Sequence, residues 1–157
     1  RREGMSEMAK LPVVLEGSRE RPEGWIERRV SLSPFGTLRL ALPPGVWDGL
    51  APSSLPHLAY LRELWEALGA PPAWRLPKGF GEVVPDALWE RPEGTWAVEV
   101  DLRYPVSKVE RKVRAYRAAY AGQAWGVFSR ARARLVSTLC WPKPCQVVLL
   151  RRGRSKG

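Results

Sequence analysis

The sequence has few of the Cys and His residues that structural zinc sites require, and it lacks the long apolar runs of membrane-spanning proteins. Only two of its 157 residues are cysteine and one is histidine, too few for a four-ligand zinc site with paired spacing. We interpret Cys140 and Cys145, which frame CWPKPC, as two reduced thiols near the start of a buried strand. No apolar run approaches about 18 residues and no signal-like segment opens the chain, which predicts a soluble, cytoplasmic protein without a membrane partner.

Acidic residues are also scarce. The chain has 16 Asp and Glu residues and 26 Lys and Arg residues, which gives a net charge of +10 and a pI near 10.3. Such a field attracts polyanions, so nucleic acid, and DNA first, is the expected partner. Basic clusters lie at 111–117, 130–134 and 151–156. A second interpretation stays open, namely that the charge reflects only solubility or an arginine-rich genome.

Apolar spacing predicts an α/β fold. A hairpin is expected over 25–42, where period-two apolar runs flank the turn SPFG. The Pro- and Gly-rich segment that follows it marks a boundary. We therefore expect an amino-terminal appendage and linker over 1–50, a core over 51–150 and a basic tail over 151–157.

Within the core, the sequence predicts helices and strands in alternation. The order is helix, strand, strand, helix, strand, helix, strand, which is typical of an α/β core with a mixed sheet. We assign the segment from Ala70 to Glu82 to a loop. The predicted elements are a helix from Ser53 or Ser54 to Leu68, a hairpin over 83–102 around the turn RPEG, a helix over 107–120, the strand AWGVFS, the helix RARARLVSTL and the strand QVVLL.

Three acids fall on the second hairpin of this basic chain. Side chains alternate along a strand, so Glu99 and Asp101 point to one side, and the turn brings Asp86 beside them. Crowded carboxylates raise one another's pKa unless a cation neutralises them, and Mg²⁺ or Mn²⁺ prefers such ligands and can polarise a phosphodiester. The alternatives are a salt bridge from Glu99 to an Arg and a turn role for Asp101. We interpret His57 as a cap or surface residue.

These residues resemble those of the PD-(D/E)XK nuclease superfamily, with VPD at 84–86 and EVD at 99–101. A narrower resemblance, covering roughly 55–136, is to the replication-relaxation family of plasmid and mobile-element proteins. It rests on LPHLAYLRELWEAL from Leu55, VPDALWE from Val84, AVEVDLRY from Ala97 and RKVRAYRAAY from Arg111. The resemblance implies a restriction-endonuclease-like core of helix, mixed central sheet and helix.

The resemblance also implies roles for individual residues. Asp86 and Glu99 match the paired metal ligands, and Glu63 matches an extra acid on the first helix. Asp101 stands in the catalytic set at the position where the superfamily usually has Lys. Lys112 on the following helix would then supply the amine, with Lys108 the weaker candidate.

The expected function is metal-dependent cleavage of plasmid, phage or mobile-element DNA by an Mg²⁺- or Mn²⁺-dependent endodeoxyribonuclease. The alternative is a catalytically inactive DNA-binding factor in replication or transfer, and a third hypothesis is docking on an acidic protein or structured RNA. Replication or transfer proteins are candidate partners, and a homodimer is left open.

Candidate nucleic-acid contacts come from three parts of the chain. The amino-terminal hairpin is either the wing of a winged helix or an addition to the sheet. Trp74 and Trp89 are candidates for stacking on bases. The expected basic contacts are Arg28, Arg29, Lys108, Arg111, Arg114, Arg117, Arg130, Arg132 and Arg134.

Overall fold

The structure, a computed structural model, describes residues 14–15, 24, 26–31, 37–42, 55–77 and 84–150. The amino-terminal part is a three-stranded antiparallel sheet in the order β1-β3-β2. The predicted hairpin is confirmed as β2 and β3, whereas β1 was not predicted. Helices of a winged helix, if the chain has them, lie outside the described residues. The strands are β1 (Val14–Leu15), β2 (Ile26–Ser31) and β3 (Thr37–Leu42).

The carboxyl-terminal part is an α/β unit with three helices and a five-stranded mixed sheet in the order β4-β5-β6-β7-β8. Strands β4, β5 and β6 are antiparallel, while β6, β7 and β8 are parallel and joined by helices. The elements are α1 (Leu55–Ala67), β4 (Trp74–Arg75), β5 (Ala87–Arg91), β6 (Gly94–Val100), α2 (Val106–Ala119), β7 (Gly122–Val127), α3 (Arg130–Cys140) and β8 (Cys145–Leu149).

The predicted α/β core with a mixed sheet is confirmed, with one correction. The segment assigned to a loop between α1 and β5 contains the short strand β4, in which Trp74 pairs with Trp89. A strand of two residues is too short to show the alternation that identifies strands in a sequence. None of the helices in the described part of the chain is long and apolar enough to cross a bilayer.

The β5–β6 turn sets the register of the central hairpin. Arg91 pairs with Gly94, so Pro92 and Glu93 form the link, and Gly94 adopts a φ of +138° that favours glycine. The ladder pairs Ala87 with Val98. Asp86 immediately precedes β5, and its backbone N–H donates to the carbonyl of Val98 (2.8 Å).

The two faces of the sheet carry separate apolar cores. On one face Val98 and Val100 of β6 pack with Tyr60 and Leu64 of α1. On the other face Ala97 packs in a cluster formed by side chains of α2, β7 and α3. Because side chains alternate along β6, Glu99 belongs to the face covered by α2 and α3. The prediction that the acids and the apolar residues of this strand take opposite faces is confirmed for Glu99.

The proposed stacking tryptophans lie in the interior. Trp74 is 1% exposed and Trp89 is 9% exposed, with ring centroids 5.9 Å apart. The prediction that they stack on bases is therefore wrong, because their faces are covered by the protein. Trp141, between α3 and β8, is instead 75% exposed.

The close approach of β7 to Trp96 can be tested at Gly122. A Cβ at this position would lie 2.3 Å from Cε2 of Trp96, which is 2% exposed. We expect Gly122→Ala to lower the free energy of unfolding by about 3 kcal/mol through overpacking. Urea titration monitored by circular dichroism measures this loss. The control is Ser137→Ala, at an exposed position of α3, which should change stability by less than about 0.5 kcal/mol. If Gly122→Ala were as stable as wild type, the close packing of β7 against Trp96 would be contradicted.

Candidate functional site

Two of the three predicted acids meet at the end of the central hairpin, where β6 finishes and β5 begins. The backbone N–H of Asp86 donates to the carbonyl of Val98 (2.8 Å), and the N–H of Val100 donates to Oδ2 of Asp86 (2.8 Å). These bonds fix the Asp86 carboxylate beside the end of β6. Its side chain is 19% exposed, whereas Glu99 is 1% exposed. The pair therefore has one half-buried carboxylate and one that is fully buried.

Helix α2 supplies the partners of Glu99. Lys112 and Tyr116 stand four residues apart and share one face of the helix. The Lys112 ammonium lies 3.2 Å from Oε2 of Glu99, and the Tyr116 hydroxyl donates to Oε1 (2.8 Å). The Tyr104 hydroxyl also donates to Oε2 (3.4 Å). Lys112 is 5% exposed, so the two opposite charges form a buried ion pair with supporting hydrogen bonds.

The acids remain incompletely neutralised by these partners. Burial, with the nearby charge of Asp86 adding to it, raises the pKa of Glu99 to about 8 although Lys112 and Tyr116 act in the opposite direction. Burial also raises the pKa of Asp86, against the lowering effect of His57. Keeping both of these adjacent carboxylates ionised at neutral pH therefore costs free energy in this environment.

Two tyrosines act as neutral hydroxyl donors in this environment. Burial and the neighbouring Glu99 charge raise the pKa of Tyr104 and of Tyr116 well above its ordinary value. Both hydroxyls consequently keep their protons and continue to donate to Glu99. The ammonium of Lys108 lies 4.2 Å from the centroid of the Tyr104 ring, which adds a cation–π contact at this edge.

Asp101 is committed to other contacts. Arg132 of α3 donates from Nη1 to its Oδ2 (2.5 Å) and from Nη2 to the carbonyl of Tyr104 (3.0 Å). The N–H of Tyr104 donates to Oδ1 of Asp101 (2.9 Å). Burial raises the pKa of Asp101, while the hydrogen bond from Tyr104 and the charge of Arg132 lower it. Asp101 thus joins the turn after β6 to α3.

His57 and Tyr104 also belong to this site, and nothing in the sequence indicated that they lie together. Nε2 of His57, at the amino-terminal end of α1, lies 3.9 Å from Oδ1 of Asp86 and 3.4 Å from the Tyr104 hydroxyl. The His57 side chain is 42% exposed. His57 is visible in the segment LPHLAYLRELWEAL, but only the folded chain shows that α1 begins beside Asp86. We call His57, Asp86, Glu99, Tyr104 and Lys112 the carboxylate cluster.

The remaining predicted residues lie elsewhere. Glu63 is half-buried on α1, about 9 Å along the helix axis beyond His57. Arg117 donates to the carbonyls of Leu139 and Trp141. Exposed basic residues are Arg28 and Arg29 on β2, Arg111 and Arg114 on α2, and Arg130 and Arg134 on α3.

Across the described part of the chain, no group of three or more His, Cys, Asp or Glu side chains is arranged to hold a metal ion. The charges of Glu99, Asp86 and Asp101 all act on Tyr104, and Asp101 is in addition paired with Arg132. What the structure brings together is two acids, one amine, one imidazole and one phenol.

Comparison with known proteins returns no relative. No family model matches the chain, and neither the curated proteins nor the solved structures give a match.

The raised pKa of Glu99 predicts how stability depends on pH. Since the native chain binds this proton up to about pH 8, whereas an unfolded Glu releases it near pH 4.3, stability falls as pH rises through this interval. Between pH 5 and pH 9 in a chelating buffer, we expect wild type to lose roughly 2–4 kcal/mol more than Glu99→Gln. Urea titrations at each pH measure the difference. Glu90→Gln, an exposed acid of β5, should keep the wild-type slope, and a Glu99→Gln slope equal to wild type would contradict the assignment.

Proposed function

We propose that the protein binds DNA and hydrolyses phosphodiesters with a metal-dependent, PD-(D/E)XK-like core, acting on plasmid, phage or other mobile-element DNA. The observation that carries the proposal is the arrangement of Asp86, Glu99 and Lys112. Hydrogen bonds with Val98 and Val100 hold Asp86 beside the end of β6, and the Lys112 ammonium lies 3.2 Å from Glu99. This grouping supplies the two carboxylates and the amine that the resemblance implies.

The order of elements supports the same proposal. Helix α1 precedes an antiparallel meander of β4, β5 and β6, and α2 then crosses over to the parallel strand β7. This agrees with a core of helix, mixed sheet and helix. The amine comes from α2 rather than from the position two residues after Glu99, which is occupied by Asp101.

The donor chemistry of the cluster fits Mg²⁺ or Mn²⁺. Carboxylate oxygens are preferred ligands of both ions. The raised pKa values of Asp86 and Glu99 mean that a further positive charge would stabilise their ionised forms. When bound, such an ion polarises a phosphodiester and lowers the pKa of water. Asp86 and Glu99 would hold it.

The chain's own groups then have distinct tasks. Lys112 donates to Glu99 and carries the positive charge that a phosphoryl oxygen would meet. His57 reaches solvent beside Asp86 and can hold a proton at Nε2. Tyr104 donates to Glu99 and keeps that carboxylate in place. Exposed arginines on α2 and α3 would bind the phosphate backbone on either side.

A second candidate is a catalytically inactive DNA-binding factor in replication or transfer. Two observations favour it. Glu99 is 1% exposed and already accepts from Tyr116 while it contacts Lys112. Asp101, at the usual place of the superfamily's Lys, is paired with Arg132.

One cleavage experiment tests the proposal. Supercoiled, linear and branched DNA are incubated with wild type, Asp86→Asn or Glu90→Gln in Mg²⁺ or Mn²⁺. We expect wild type and Glu90→Gln to cleave at similar rates. Asp86→Asn should be slower by about 100-fold or more, the size of effect seen when one catalytic group is removed.

Binding measured on the same DNA separates the alternatives. Absence of product with every substrate and both ions, together with binding that weakens steeply with salt, would overturn the nuclease and favour the binding factor. Affinity that hardly changes with salt would overturn DNA binding and favour docking on an acidic protein.

A further inference from the structure

The two cysteines of the chain meet at the connection between α3 and β8. Cys140 is the last residue of α3 and Cys145 is the first of β8. Both are free thiols, and the Cys140 thiol donates to Sγ of Cys145 at 2.9 Å. Cys140 is buried in the core that α2 and α3 form with the sheet, whereas Cys145 is half-buried.

We propose that Cys140 and Cys145 are a redox pair that forms a reversible intramolecular disulfide on reaction with a small-molecule disulfide such as oxidised glutathione. This modification site does not depend on the proposed nuclease activity. The disulfide would close the connection between α3 and β8 into a ring that includes the exposed Trp141.

The surrounding contacts hold the two sulfur atoms in place for this reaction. A disulfide bond is about 2.05 Å long, so the sulfurs need to approach by only about 0.9 Å. The ammonium of Lys143, inside the loop, donates to the carbonyls of Arg117 (2.7 Å) and Tyr120 (3.0 Å) at the end of α2. Arg117 in turn donates to the carbonyls of Leu139 and Trp141. The loop is therefore tied to α2 on both sides of its exposed part.

The two thiols are chemically unequal. The hydrogen bond from Cys140 stabilises the thiolate of Cys145 and lowers the pKa of Cys145. The same bond, with burial, raises the pKa of Cys140. The thiolate is the nucleophile in thiol–disulfide exchange, and Cys145 is also the less buried residue of the two. Cys145 is consequently the attacking thiol and Cys140 the resolving thiol.

The exchange balances in two steps. The Cys145 thiolate attacks one sulfur of oxidised glutathione, which forms a mixed disulfide and releases one glutathione thiolate. Cys140 then loses its proton to solvent and attacks Sγ of Cys145, which forms the protein disulfide and releases the second glutathione. Two protein thiols are oxidised, and one glutathione disulfide is reduced to two thiols.

Glutathione redox buffers test the proposal on the whole protein. Free thiols are trapped by alkylation, and intact-mass measurement counts the two hydrogens lost on oxidation. Trypsin leaves both cysteines in the peptide 135–151, because Pro144 follows Lys143 and protects that bond. We expect the folded chain to form the disulfide with an equilibrium constant at least about tenfold larger than the chain in urea, because folding raises the effective thiol concentration. Dithiothreitol should reverse it.

Single variants assign the order of attack. Cys140→Ser should stop at a mixed disulfide with glutathione on Cys145, whereas Cys145→Ser should leave Cys140 reduced in the folded protein. Circular dichroism confirms that each variant folds, and Cys145→Ser, at the half-buried position, keeps the test valid if Cys140→Ser does not. An equilibrium constant no larger than in urea, or wild-type products limited to mixed or intermolecular disulfides, would overturn the proposal.

Discussion

The buried contact between Lys112 and Glu99 is the interaction on which the site depends. Removing either charge from water costs several kcal/mol, so the ionised form of Glu99 depends on the Lys112 ammonium, which lies 3.2 Å away. The pair fixes how α2 sits over β6, since Lys112 and Tyr116 both have to face the sheet to reach Glu99. It therefore orients the helix and presents an amine to the acids, although burial, with the charge of Asp86 adding to it, leaves Glu99 with a raised pKa.

A second constraint is the register of the β5–β6 hairpin. A slip of one residue would turn every β5 side chain to the opposite face, which would separate Asp86 from Glu99. The turn prevents this, because Gly94 adopts a backbone conformation that other residues rarely take. The site is thus a joint product of a local turn and a tertiary ion pair. It lies where β6 ends and where α1 contributes His57.

Much of the carboxyl-terminal fold could be predicted because its signals are local. Period-two spacing revealed the central hairpin, and helical spacing revealed α1 and α2. The contacts that define the site could not be found in this way. His57 meets Tyr104 across 47 residues, and Arg132 meets Asp101 across 31. No spacing rule encodes such distances. The choice of Lys112 as the displaced amine came from the resemblance, and its contact with Glu99 became visible only when α2 was placed over β6.

The proposed function requires that Asp86 and Glu99 share a divalent cation and that Lys112 stands beside it. Anomalous diffraction from a crystal grown with Mn²⁺ tests this most directly. We expect a manganese peak in contact with the carboxylates of both Asp86 and Glu99, because carboxylate oxygens are preferred ligands of this ion. A well-ordered crystal with no peak at these two carboxylates would rule out the shared ion.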